Sequence, residues 1–172
     1  INSNNRDTLL FFSNLGNRYK GKCNDLKTFQ PSNFGQLISS VINLEYEEQI
    51  VAVVSISDNK GYMMFAYENG LISKIKIENY LGNYIKLRNS YNIESKLVSL
   101  AYIKKDVDIF CISETGKGVI FNSSEFEAKG TKNSKGNKAI RLDDNKLISC
   151  IFNIKDTDSI KVKSDNNNEY EY

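Results

Sequence analysis

Lys129, Lys132, Lys135, Lys138 and Arg141 follow one another at intervals of three, within thirteen residues that contain no carboxylate. Cations at that density make a phosphate-binding candidate, and Gly130 and Gly136 would let the loop backbone come close to a phosphate and offer its N–H groups. Lys74, Lys76, Lys86 and Arg88 form a second cluster. Within it, Lys74 and Lys76 alternate with Ile75 and Ile77, which predicts a strand with a basic face over an apolar one. The plainer alternative for both clusters is a surface kept soluble by lysine. The chain carries 23 basic and 21 acidic residues, net +2, so a nucleic-acid reading rests on local clustering and not on bulk charge.

Other chemistry is scarce. Histidine is absent, which removes the commonest general base, the imidazole metal ligand and every Ser-His or Cys-His nucleophile. There is no phosphate loop, and no constellation of Asp, Glu, Lys, Tyr or Cys stands out. The expectation is therefore no catalytic residue, no metal, no cofactor and no small-molecule substrate. Cys23, Cys111 and Cys150 lie far apart, odd in number and without a C-x-x-C pair. That supports neither a disulfide framework nor a zinc site, and fits a reducing, cytoplasmic compartment. Cys111 and Cys150 sit inside apolar runs and read as small core residues. Nothing resembles a signal peptide or an 18-residue apolar span, so no membrane role is expected. A length of 172 residues suits one domain or part of a repeat array. The initial Ile1 suggests a fragment.

The elements that must position these lysines are short. Runs rich in Ile, Val, Phe and Tyr, separated by Asn, Gly, Asp and Ser, predict strands and turns with little room for helix. Expected strands are Thr8 to Ser13, Arg18 to Cys23, Gln36 to Asn43, Gln49 to Ser57, Tyr62 to Tyr67, Leu71 to Lys76, Lys96 to Tyr102, Ile109 to Ile112, Gly118 to Asn122, Lys146 to Ile151 and Ser159 to Lys163. Three stretches repeat. Phe11 to Gly16, Phe65 to Gly70 and Phe110 to Gly116 each give an apolar run, polar turn residues and a glycine, the glycines 54 and 46 residues apart. Leu26, Tyr80 and Phe126 follow ten residues later. Each unit then closes with an apolar segment, a short polar turn and a strand. This order predicts two hairpins per unit, the first turned at the glycine and the second at Glu45 to Glu48, Glu94-Ser95 and Asp143 to Asn145. Four short strands per 45 to 55 residues match a propeller-type blade that must stack on its neighbours. A single sandwich would explain the strands but not the repeat.

The repeated stretches, Asp7 to Tyr19, Gly61 to Lys74 and Asp108 to Phe121, resemble successive blades of the C-terminal domain found in the bacterial DNA gyrase A subunit, or in its topoisomerase IV relative. The resemblance covers roughly residues 7–152. It implies an all-β, propeller-like β-pinwheel whose blades exchange strands. About three blades are expected, over 7–58, 59–104 and 105–156, as an open or partial disc within one unit spanning 1–172. It implies a basic outer rim that binds and bends double-stranded DNA without reading sequence, and no catalytic residue in this part. Its partners would be an ATPase partner subunit and the rest of its own polypeptide. The family's rim pattern, like Arg-x-x-Arg-Gly, stands in the third repeat as Lys132-Asn133-Ser134-Lys135-Gly136. In the second, Lys86 is kept but Leu87 replaces the glycine. The first repeat reads Pro31-Ser32-Asn33-Phe34-Gly35, with no basic residue. The gyrase box, Gln-Arg-Arg-Gly-Gly-Lys-Gly, is absent from the chain: either its blade lies outside, or this is a topoisomerase IV-like or diverged version.

Charge follows the units. Residues 7–58 hold four basic and six acidic side chains, 59–104 seven and three, and 105–156 nine and eight, so the positive field belongs to the second and third. Residues 164–172 read as an acidic, disordered tail, a plain solvated terminus or a competitor for the rim. The alternative to DNA binding is a degenerate propeller serving as a protein-interaction scaffold, motivated by the modest net charge and the bare first repeat.

Overall fold

The β-branched and aromatic runs form antiparallel strands throughout the computed structural model, which describes residues 3–155, 159–163 and 169–171. In chain order these are β1 (Thr8–Ser13), β2 (Arg18–Lys22), β3 (Ile50–Ile56), β4 (Tyr62–Tyr67), β5 (Leu71–Lys76), β6 (Lys86–Leu87), β7 (Leu97–Ile103), β8 (Asp108–Ser113), β9 (Gly118–Asn122), β10 (Asn137–Lys138), β11 (Leu147–Ile154), β12 (Lys161–Lys163) and β13 (Glu169–Glu171). The hairpins β1–β2, β4–β5 and β8–β9 turn at Gly16, Gly70 and Gly116, with φ of +74°, +78° and +80°. Glycine enters that left-handed region without steric cost.

Three sheets follow in the orders β3-β1-β2-β6, β10-β5-β4-β7 and β11-β8-β9. In each, the last long strand of a unit doubles back to lie on the inner side of the first. The sheets meet through these inner strands, since β7 touches both β3 and β11 and Cys150 N donates to Ser99 Oγ at 3.1 Å. The opposite edges therefore face outward. There the fourth strand comes from the following unit: β6 pairs with β2 (Arg18 with Leu87, Tyr19 with Lys86), and β10 pairs with β5 (Ile72 with Asn137, Leu71 with Lys138). This strand exchange replaces the second hairpin expected within each unit. The turns at Glu45 to Glu48 and Asp143 to Asn145 exist, but what enters them is irregular backbone. The strand expected over Gln36 to Asn43 is a 3-10 turn at Ile38–Ser40 with coil on either side.

Alternation along the central strands builds the core between the sheets. Met63, Phe65 and Tyr67 of β4 face Leu10 and Phe12 of β1, while Met64 and Ala66 face Ile109, Cys111, Leu147 and Cys150. Phe12 meets Phe65 edge-on at 5.6 Å, and Phe65 stacks on Tyr91 at 5.6 Å. Each such ring removed from water stabilises by about 1.5–3 kcal/mol.

Cys111 and Cys150 are buried, as read from the sequence, but they are not unpaired. They lie directly opposite on β8 and β11, with Cα atoms 4.3 Å apart, and form a disulfide. Spacing along the chain could not reveal it, because two strands 39 residues apart become neighbours only when the sheet forms. The tail also differs from expectation. Glu169–Glu171 pairs with β12, setting Glu171 opposite Lys161 and Glu169 opposite Lys163; positions 164–168 and 172 of the expected disordered tail lie outside the described residues.

Candidate nucleic-acid interface

The exchanged strands carry the basic clusters to the outer edges. The stretch 129–138 runs along the outside of β5: Lys129 N donates to Lys74 O at 2.8 Å, and β10 closes the run beside Leu71 and Ile72. Lys86 and Arg88 accompany β6 along the outside of β2. Lys138, Arg141 and Lys76 are exposed and Lys132 is half-exposed. Lys132, Lys138 and Lys76 enter no ion pair among the described residues, whereas Lys129 pairs with Glu127 at 3.5 Å and Arg141 with Asp143 at 3.2 Å.

One expectation of exposure fails. Lys74 does not share a solvent face with Lys76: it is only 5% exposed, and its Nζ lies 2.5 Å from Asp106, donates to Ser123 O and sits 4.5 Å over the Tyr62 ring. Strand alternation assumes that one face sees water, and here the next unit covers it. The lysine charge is then satisfied by Asp106, whose carboxyl it holds below the usual range. Arg18 is buried in the same way, 1% exposed, with Nη1 donating to Tyr84 O and Ile85 O; burial pushes its guanidinium down to about 10.

A contact that sequence reasoning missed recurs between blades. Lys86 is ion-paired to Glu45, and Lys135 to Glu94 at 2.7 Å. Lys86 and Lys135, Glu45 and Glu94, and Ser90 and Ala139 are each 49 residues apart, and Ser90 N and Ala139 N donate to Gly16 O and Gly70 O, the carbonyls of equivalent turns. The pair is thus one repeated clasp, in which the lysine entering with an exchanged strand grips an acid in the turn of the unit before. The signal was present, since Glu45, Glu94 and Asp143 hold the same place in each repeat, but they read as turn residues alone.

Gly136 also has a use other than phosphate approach. With φ at +85°, a Cβ there would stand 2.3 Å from Ile72 O, so the glycine permits β10 to close on β5. Leu87 occupies the equivalent place in the second unit. There Leu87 itself pairs with Arg18, and Asn89 takes φ +50° before Ser90 regains the common contact. Gly130 has nothing within 4 Å of its missing Cβ.

Residues 108–159 match a family model described as DNA gyrase C-terminal domain, beta-propeller. Over 92% of its length the chain superimposes on 51% of a crystal structure of the C-terminal domain of DNA topoisomerase IV, with a TM-score of 0.78 and 23% identity. The fold is the β-pinwheel of gyrase A and topoisomerase IV C-terminal domains. A second solved domain, from DNA gyrase A, is matched over 98% of this chain and 55% of its own, with a TM-score of 0.72 and 21% identity. In sequence, 162 residues are 26% identical to the A subunit of DNA topoisomerase 4 from Bacillus subtilis, covering 91% of this chain. The chain spans about a fifth of the length of the curated relatives it matches. The resemblance drawn from the three repeats is thereby shown, and the pinwheel strand exchange it implied is the arrangement seen in β6 and β10.

Proposed function

We propose that this chain is a non-catalytic module of a type IIA topoisomerase A subunit that binds and bends duplex DNA without reading its sequence. It would present that duplex, in the bacterial cytoplasm, to a catalytic core elsewhere in the same polypeptide and to an ATPase partner subunit. The observation that carries the reading is the placement of cations along two successive outer edges, Lys86 and Arg88 beside β2 and the 129–138 stretch beside β5. Lys132, Lys138 and Lys76, exposed or half-exposed and without an acid partner among the described residues, are the foremost contacts. Lys129, Arg141 and Arg88 flank them. Lys86 and Lys135 would reach a phosphate only by leaving their clasps, and Lys74 is withdrawn from the set by its burial.

Phosphate contacts release counterions, so affinity should fall by about 0.9 log units per log unit of salt for each phosphate neutralised. Three or four contacts give a slope of roughly −2.7 to −3.6 in fluorescence anisotropy with a short duplex. Replacing Lys132 and Lys138 by Glu should weaken binding to unrelated duplexes equally and flatten the slope, while Lys74→Met should leave the slope unchanged. A salt-independent affinity would end the proposal. The scaffold alternative draws on one observation, that six of the nine candidate cations are held by acids. No duplex binding at low salt would favour it.

A further inference from the structure

Single exposed apolar side chains are ordinary on a protein surface, but two in succession on the outer edge call for a partner. Tyr84 and Ile85, just before β6, are 74% and 67% exposed. Gly82 and Asn83 beside them are exposed as well, and the segment leads from the second sheet, which holds β5, to the first, where β6 pairs with β2.

The backbone under this pair is firmly held. Arg18 Nη1 donates to Tyr84 O at 2.9 Å and to Ile85 O at 3.3 Å, the Lys20 amide donates to Ile85 O at 2.8 Å, and Lys20 Nζ donates to Gly82 O at 2.6 Å. Arg18 is buried to do this, and its Nε has no hydrogen-bond partner among the described residues. Taking a guanidinium out of water is costly, and here it fixes two carbonyls of an otherwise open segment. The two side chains are thus presented outward from a pinned backbone, which lowers the ordering cost of any contact they make.

The charge around them indicates what that contact is. Lys86 and Arg88 share Glu45, and Glu48 stands 3.9 Å from Lys86. Arg18 and Lys20 enter no ion pair among the described residues, so the cations of this edge exceed its acids. Duplex DNA offers both halves of the complement: phosphates for the cations and, between them, the C–H edges of the deoxyriboses that line a groove. At the repeat offset of 49, Asn133 and Ser134 stand in place of Tyr84 and Ile85, so the apolar pair distinguishes the edge beside β2 from the edge beside β5.

We propose that Tyr84 and Ile85 form an apolar ridge that seats in a groove of bound duplex against its deoxyribose edges. The inference rests on the DNA-binding reading above and adds to it an attraction that releases no counterions. Seating in a groove also sets which side of the duplex faces the edge beside β2.

Fluorescence anisotropy of the whole chain with a short duplex, over a range of salt, tests it. The double variant Tyr84→Ser, Ile85→Ser keeps the backbone carbonyls that Arg18 and Lys20 hold, and circular dichroism checks its fold. Its affinity should be about tenfold weaker at every salt concentration, a line parallel to that of the unaltered chain. Binding to inorganic polyphosphate, which has the charge but no sugar edge, should not change. Tyr84→Phe should bind the duplex as the unaltered chain does. Three results overturn the ridge while leaving DNA binding in place: full duplex affinity in the double variant, which would return the pair to a protein partner; a changed salt slope or an equal loss on polyphosphate, which would mean that the pair acts through neighbouring cations; or a loss in Tyr84→Phe as large as in Tyr84→Ser, which would assign the contact to the hydroxyl. An unaltered chain that binds no duplex at low salt overturns the DNA-binding reading itself, and the ridge with it.

Discussion

Glu48 shows how much one buried acid can organise. Its side chain has no exposure, and it accepts hydrogen bonds from Ser13 Oγ, Tyr19 Oη, Asn17 Nδ2 and the Glu45 amide. Burial pushes its carboxyl up, but these four donors together outweigh burial and hold it at about 2, against an ordinary 4.5. A carboxyl whose folded pKa lies below its unfolded one contributes stability above the unfolded value and loses it as pH falls toward the folded one. Urea titrations should therefore show stability level down to about pH 5 and falling between about pH 4.5 and 2. Asp58 and Asp106, lowered by Lys104 and Lys74, shape the same limb, so the test is the difference made by Glu48→Gln. That variant should lose about 1–3 kcal/mol at pH 7 by leaving donors unsatisfied, and its acid limb should be shallower. An unchanged limb would mean that Glu48 binds its proton alike in the folded and unfolded chain.

At the scale of elements, the two-residue strands are the weakest pieces and the ones on which the outer edge depends. Gly136→Ala sets a methyl against Ile72 O in a left-handed backbone and should cost about 2–4 kcal/mol. Amide exchange should rise in residues 70–74 and 137–139 and stay unchanged in β1–β2. Full stability in the alanine variant would show that β10 does not need the close approach. These strands also mark where the sequence stopped being legible. Three hairpins and their glycines were readable, because apolar runs of five or six residues flanking a turn are a local signal, and so was the repeat. β6 and β10 were not readable as strands, since Lys86–Leu87 and Asn137–Lys138 carry no periodicity of their own and pair only because a neighbouring sheet offers an edge. The burial of Lys74 and the joining of Cys111 to Cys150 were hidden for the same reason. The lysines of the 129–138 stretch were found from composition alone, but their division into clasped and unpaired ones needed Glu94 and Glu127 in place.

For the whole molecule, exchanged strands and shared apolar layers tie each sheet to the next. The expectation is a single urea transition, with tyrosine fluorescence, to which Tyr67, Tyr80 and Tyr91 between the first two sheets contribute, coinciding with far-ultraviolet dichroism, which follows all of the sheets. Separate midpoints would mean that the sheets act as independent repeats. The direction of exchange has a further effect on how the chain is made. Because β10 belongs to the third unit and completes the second, a ribosome-bound polypeptide holds its second sheet one strand short, with β5 uncovered, until Lys138 has emerged. The first and second units are each finished by the unit that follows, so a nascent chain stalled before that point offers a bare edge to chaperones and to other nascent chains.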